Sequence, residues 1–292
     1  MKRKYLFLAS MLLILVFATG ANATAFLQVG NSKLFYDNYE SVFREDASGV
    51  YRELDYSDIN NPPLLQPGDI FAGIIRVQFI ESIDSGLTYW SQVPGSDELT
   101  GVFANQITFI GPDPTGSTAL KVDLGVSPTN SFTTAAGDVI NTGLTGNELF
   151  QIYSDEGVGM TPFNANGTIA NSFATASDGV DWMTLGFSAP GDYAYSLITL
   201  QGTALDDFQG ESYLGLSVFD FIDAGFIFNP INDPGESIVG SDVQFYANSE
   251  LEGNDNFVVQ GTSDWPFQSN DPAFVNTSAI PEPGTLLLLG AG

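Results

Sequence analysis

The sequence predicts a mainly β protein, an antiparallel β-sandwich-like domain with at most short helices. Short runs in which apolar and polar residues alternate recur along most of the chain, the pattern of half-buried strands. Gly, Pro, Asn and Asp, the residues that build turns, separate those runs. The 292 residues are 43% hydrophobic and contain no cysteine, so the fold rests on a packed core and not on disulfides.

Taken in order, the chain opens on Lys2, Arg3 and Lys4, continues through an apolar stretch from Tyr5 to Phe17, and leaves it through the small residues of ATGANATAF. A cationic start, an apolar core of about a dozen residues and a small-x-small exit make an export signal; a membrane span needs about 20 residues. Ala21-Asn22-Ala23 and Ala23-Thr24-Ala25 both fit the cleavage pattern, so the cut is expected after Ala23 or Ala25 and residues 1–25 are read as signal peptide.

Residues 26–278 are read as one acidic all-β domain, or two closely packed sheets. Pro67-Gly68-Asp69 fits a type II turn that launches a strand near Ile70. In GIIRVQFIES, Ile75, Val77 and Phe79 alternate with Arg76 and Gln78. Asp84-Ser85-Gly86 is read as a turn; a pepsin-like protease would need two such Asp-Thr/Ser-Gly elements, and the sequence holds one. SDELTGVFANQITFI is the ambiguous stretch. Ser96 as N-cap, Asp97 and Glu98 behind it, and Leu99, Val102 and Phe103 at helical spacing suit a short helix. Its β-rich ending favours a strand from about Val102. Loops are expected at 111–117 and 229–237. ALKVDLGV places Leu120, Val122, Leu124 and Val126 on one face and Lys121 and Asp123 on the other. SYLGLSVFD groups Leu214, Leu216 and Val218, and SDVQFYANSE groups Val243, Phe245 and Ala247.

The signal peptide carries three of the eight basic residues and none of the 35 acidic ones, which leaves five cations against 35 anions after cleavage. Such a surface repels nucleic acid and anionic lipid, stays soluble, and attracts divalent cations. Absence of histidine from the whole sequence excludes Ser-His-Asp and Cys-His catalysis and His-ligated metals. Carboxylate chemistry remains open: a glycosidase needs two carboxyl groups about 5–10 Å apart, one with a raised pKa. Sequence alone cannot rank such pairs among 35 acids. Lysine bases are nearly absent, since only Lys33 and Lys121 follow the signal.

Two stretches are candidates for binding. ELEGNDNF brings Glu250, Glu252, Asn254 and Asp255 together as oxygen ligands of the kind calcium takes. It matches no established calcium loop and reads more readily as a solvated acidic hairpin, so the protein is expected to carry no cofactor and no dedicated metal site. Trp90 in GLTYWSQ and Trp265 in SDWPFQ stand beside polar turn residues and are candidate sugar-stacking platforms, whereas Trp182 reads as core.

The last stretch, AIPEPGTLLLLGAG, holds its backbone extended at Pro281, Glu282 and Pro283 and then begins an apolar run. It resembles the PEP-CTERM sorting signal of Gram-negative bacteria, whose carriers also have N-terminal signal peptides and are handled by a membrane transpeptidase-like enzyme, exosortase. The resemblance covers residues 279–292 and implies export, a transient contact with the membrane through the tail, and delivery to the cell surface or to extracellular polysaccharide. The family's pattern continues to spanning length and closes on arginines. Here about eight helical residues reach about 12 Å of the roughly 30 Å required, so the tail is expected to be incomplete. The expectation is a non-enzymatic exported surface or matrix protein associated with exopolysaccharide or biofilm. A carbohydrate-binding module and a carboxylate glycoside hydrolase are the alternatives.

Overall fold

A computed structural model describes residues 26–56, 63–94, 96–116, 119–156, 161–200, 208–222, 226–231, 241–251 and 264–280. The strands are, in order, β1 (Gly30–Glu45), β2 (Tyr51–Glu53), β3 (Ile70–Ser82), β4 (Thr88–Ser91), β5 (Asp97–Pro112), β6 (Leu120–Val126), β7 (Ser131–Thr133), β8 (Val139–Asn141) and β9 (Glu148–Glu156). A short helix α1 (Ile169–Ala176) follows, then β10 (Val180–Gly186), β11 (Tyr193–Leu200), β12 (Phe208–Phe221), β13 (Phe226–Phe228), β14 (Val243–Leu251) and β15 (Phe267–Ala279). The mainly β, antiparallel reading of the sequence holds.

The strand pairing closes on itself. From β1 it runs through β3, β5, β6, β11, β12, β14 and β15 and back to β1, each neighbour antiparallel. The two walls expected of a sandwich are thus joined into a barrel-like ring, which leaves its main strands without a free edge. One wall is built in two storeys. Residues 97–103 of β5 pair with β9, while 105–112 pair with β6. On the far side of that wall, residues 208–215 of β12 pair with β11 and 217–221 with β10.

Curling a sheet this tightly needs positions without a side chain. Gly73 of β3 is one: a Cβ there would sit 2.2 Å from the Tyr39 carbonyl oxygen and 2.7 Å from the Phe103 ring. The turn before β3 forms as expected, with Gly68 at φ 100° and the Asp69 amide donating to the Gln66 carbonyl at 3.1 Å. Fully buried Asp69 then takes two bonds from the Arg44 guanidinium, at 2.6 and 2.7 Å, which fasten this turn to β1.

Inward residues form the main core, among them Leu34, Ile75, Leu99, Phe103, Leu214 and Phe245. Outward residues of β1, β3 and β5 are buried as well, because α1 and the β7–β8 hairpin cover them: Phe43, Ile74 and Val102 pack with Phe132, Ile140 and Phe173. This is why Ile74 and Ile75 are both buried although they point to opposite faces. Around β6, β11 and β12 the outer face mixes charges with tyrosine rings: Lys121 pairs with Asp123 at 2.5 Å and lies over the Tyr195 ring, which stacks on Tyr213.

Two local readings change. The ambiguous stretch is strand from Asp97, so the helical alternative does not hold, and Leu99, Val102 and Phe103 owe their spacing to a strand buried on both faces. The helix that does form, α1, is capped by Thr168, whose hydroxyl accepts from the Asn171 amide at 3.2 Å. Its apolar side, Ile169, Phe173 and Ala176, faces the outer core, and Thr100 donates to the Ala176 carbonyl at 3.0 Å.

Candidate functional site

The lumen is not filled evenly. Between its apolar floor and its upper end lies a cavity of about 80 Å³, walled by inward residues from all eight ring strands and from β9. On one side the wall is aromatic. Phe150 stacks on Phe103 with ring centroids 5.4 Å apart and on Phe245 at 5.0 Å, and the Tyr36 ring meets the Phe245 edge at 5.7 Å. The other side is polar: Asn38 and Glu40 from β1, Asn105 from β5, Ser196 from β11, Ser212 from β12 and Ser269 from β15.

The hydroxyls on that polar side each have a partner within the protein. Ser196 and Ser212 are 2.7 Å apart across the β11–β12 pair, and Ser269 donates to the Asn38 side-chain oxygen. Two acceptors remain. The Oδ1 of Asn105, a residue only 4% exposed, has no hydrogen-bond partner, and among the described residues nothing bonds the Glu40 carboxyl. Burial pushes the Glu40 carboxyl up to about 7 from an ordinary glutamate value of 4.5. A half-protonated carboxyl at neutral pH, beside an unpaired carbonyl and a set of ring faces, can accept a hydrogen bond or a positive charge.

Of the sequence-predicted residues, Trp90 and Trp265 do not form binding platforms. Trp90 is 6% exposed, stands edge-on to Phe26 at 5.5 Å and donates through Nε1 to Asp97 at 3.1 Å. Trp265 is 1% exposed and packs on Phe173 in the outer core. A sugar stacks on an open ring face, and neither ring offers one. Trp182 is core, as read from the sequence. Asp84-Ser85-Gly86 is a turn, with the Gly86 amide bonded to the Ser82 carbonyl at 2.7 Å. Ala23, Ala25, Pro281, Glu282 and Pro283 lie outside the described residues, as do Glu252, Asn254 and Asp255 of the calcium candidate.

Burial also raises Asp155, with Asp178 and Glu98 adding repulsion, on the outer side of the β5–β9 pair. Glu98 is 1% exposed and both its oxygens are engaged, one by the Gln92 amide at 3.2 Å and one by the Phe163 backbone N–H at 2.8 Å. It is an anchor for the 163–165 segment over the outer core. A second recess, about 310 Å³ and lined by Ser127, Thr129, Asn130, Thr145 and Glu148, offers hydroxyl, amide and carboxylate groups. Comparison with family models, with curated proteins and with solved structures finds no match to this chain.

Proposed function

We propose that this protein is an exported, non-catalytic barrel of the cell surface or extracellular matrix, delivered by an exosortase-type system and associated with extracellular polysaccharide in a Gram-negative bacterium. The observation that carries the reading is where the fold begins and ends relative to the two processing signals. Phe26 and Leu27, directly after the expected cleavage sites, are 2% and 1% exposed and belong to the main core. The last ring strand ends at Ala279, two residues before Pro281. Removal of the leader and processing at the tail would therefore leave every ring strand intact.

The polar recess at Ser127 to Glu148 supplies hydroxyl, amide and carboxylate groups to a polysaccharide, while the burial of Trp90 and Trp265 weakens the reading as a dedicated carbohydrate-binding module. The test is expression of the full chain in a bacterium that carries an exosortase, followed by mass spectrometry of the extracellular fraction. A mature N-terminus at Thr24 or Phe26 and a C-terminus near Pro281-Glu282-Pro283 are expected, and Glu282→Ala should hold the protein at the membrane. Identical processing of the variant, or an uncut chain inside the cell, would overturn the reading.

A further inference from the structure

We propose that the lumen cavity is a binding site for a small organic ammonium ion, its charge held by Glu40 and the Asn105 side-chain carbonyl and its alkyl part laid against Phe71, Phe103 and Leu124. The argument starts from what the walls leave unused. The serines and Asn38 bond one another, and the buried polar atom of this wall left without a partner is an acceptor, Oδ1 of Asn105; with the Glu40 carboxyl on the same wall, a ligand that brings donors and positive charge meets both. No Lys or Arg lines the cavity, so an anion would meet a carboxyl with nothing to offset either charge.

Size and surface narrow the class further. About 80 Å³ equals the liquid volume of two or three waters at about 30 Å³ each, room for four or five non-hydrogen atoms. A ligand of that size fits the space better than a sugar ring or a long lipid chain does. A hard divalent ion wants six or more oxygens, whereas this wall is half aromatic and aliphatic. Ring faces at Phe103, Phe150 and Phe245 attract an alkylammonium by dispersion and by their quadrupoles. The excess of acidic residues over the whole chain raises the local concentration of such cations.

The location explains the two acceptors together. Glu40 and Asn105 sit on β1 and β5, on either side of β3, whose residues Gly73 and Phe71 are their respective cross-strand neighbours. Because Gly73 has no side chain, the Phe103 ring packs directly onto the β3 backbone between them and forms that part of the wall. The other strands of the wall, β5, β11, β12 and β15, present Asn105, Ser196, Ser212 and Ser269, none of which titrates. Tyr36 is the other titratable residue of the wall. Asp37 and Arg76, on the outer faces of β1 and β3, pair with each other.

Isothermal titration of the purified protein with n-propylammonium chloride at pH 8, against n-propanol and sodium propionate at equal ionic strength, tests the proposal. One saturable site is expected, about tenfold or more tighter for the ammonium than for the alcohol, with no propionate binding. Affinity should fall between pH 8 and pH 5.5 as Glu40 takes up a proton. Glu40→Gln should abolish the preference for ammonium and its pH dependence, and Leu124→Phe, which fills the lumen, should abolish binding of both while circular dichroism shows an intact fold. Equal binding of alcohol and ammonium, an unchanged Glu40→Gln titration, or only weak binding at many salt-sensitive surface sites would overturn it.

Discussion

The two ends of the lumen share β1, β3, β5 and β12 but are completed by different strands, β9 and β10 at one and β6 and β11 at the other, and one is solid while the other is hollow. In the floor, Phe26 stands edge-on to both Trp90 and Trp182, at 5.5 and 5.7 Å, and Trp182 does the same to Phe221 at 5.4 Å. Higher up, the inward positions are taken by Asn38, Glu40, Asn105 and serines, and a cavity remains. Closure of the ring sets how much interior there is, and side-chain choice decides how much of it is filled. Large aromatics fill the floor; short polar groups above them leave room at the cost of a buried acceptor without a partner, Oδ1 of Asn105.

The sharpest way to break this comparison is to hollow the floor. Trp182 is 3% exposed and wedged between aromatic neighbours, so Trp182→Ala should cost about 3–5 kcal/mol, measured by urea unfolding. A loss below about 1 kcal/mol, no more than a surface substitution, would mean that the floor is not where the stability lies.

Next in size is the carboxyl in the hollow half. Glu40 titrates at about 7 when folded and near 4.5 when unfolded, so between those values the folded protein binds the extra proton. Folding stability at this site is therefore full below about pH 4.5 and is lost as pH rises through 7. Glu40→Gln should raise stability by roughly 3.5 kcal/mol at pH 8 and leave it unchanged at pH 4, the figure following from about 1.4 kcal/mol per pH unit over the interval from 4.5 to about 7. Burial also raises Glu53, Asp97, Asp155, Asp178 and Asp242, so the wild type should gain stability on acidification in the variant as well, and the informative quantity is the difference between the two curves. A difference that does not change with pH would show that Glu40 is solvated and the upper lumen is wide open.

The fold class was legible because period 2 marks a strand whichever way the sheet closes. In ALKVDLGV and SYLGLSVFD the sequence alternation matches the observed inward and outward faces. Ring closure was not legible, since it depends on a strand such as β5 changing partners from β9 to β6 halfway along, a feature no local pattern encodes. The cavity was hidden for a related reason. Along LFYDNYESVF the inward set is Leu34, Tyr36, Asn38, Glu40 and Val42, and the outward set includes Tyr39 and Phe43 beneath α1. Each face mixes polar with apolar residues, so alternation there assigns neither face to the core. Trp90 and Trp265 misled in the opposite sense: turn residues beside them suggested exposure, but β4 and the segment before β15 fold the rings inward against Phe26 and Phe173.

The smallest expected effect discriminates most finely between a hollow and a filled lumen. Leu124 is partly buried and lines the cavity from β6. Putting a phenylalanine into a close-packed core usually costs about 1–3 kcal/mol, because neighbours must leave their rotamers. Here the added ring atoms have about 80 Å³ to enter, beside Phe103 and Phe150, so Leu124→Phe should be neutral within about 1 kcal/mol. The same change in the floor, at Leu99, which is fully buried, should cost the usual amount. Equal penalties at both sites, read from paired thermal and urea unfolding, would mean that the upper lumen closes over its polar groups in solution. A smaller penalty at Leu124 means that the space persists, and with it the unpartnered Asn105 carbonyl beside the Glu40 carboxyl.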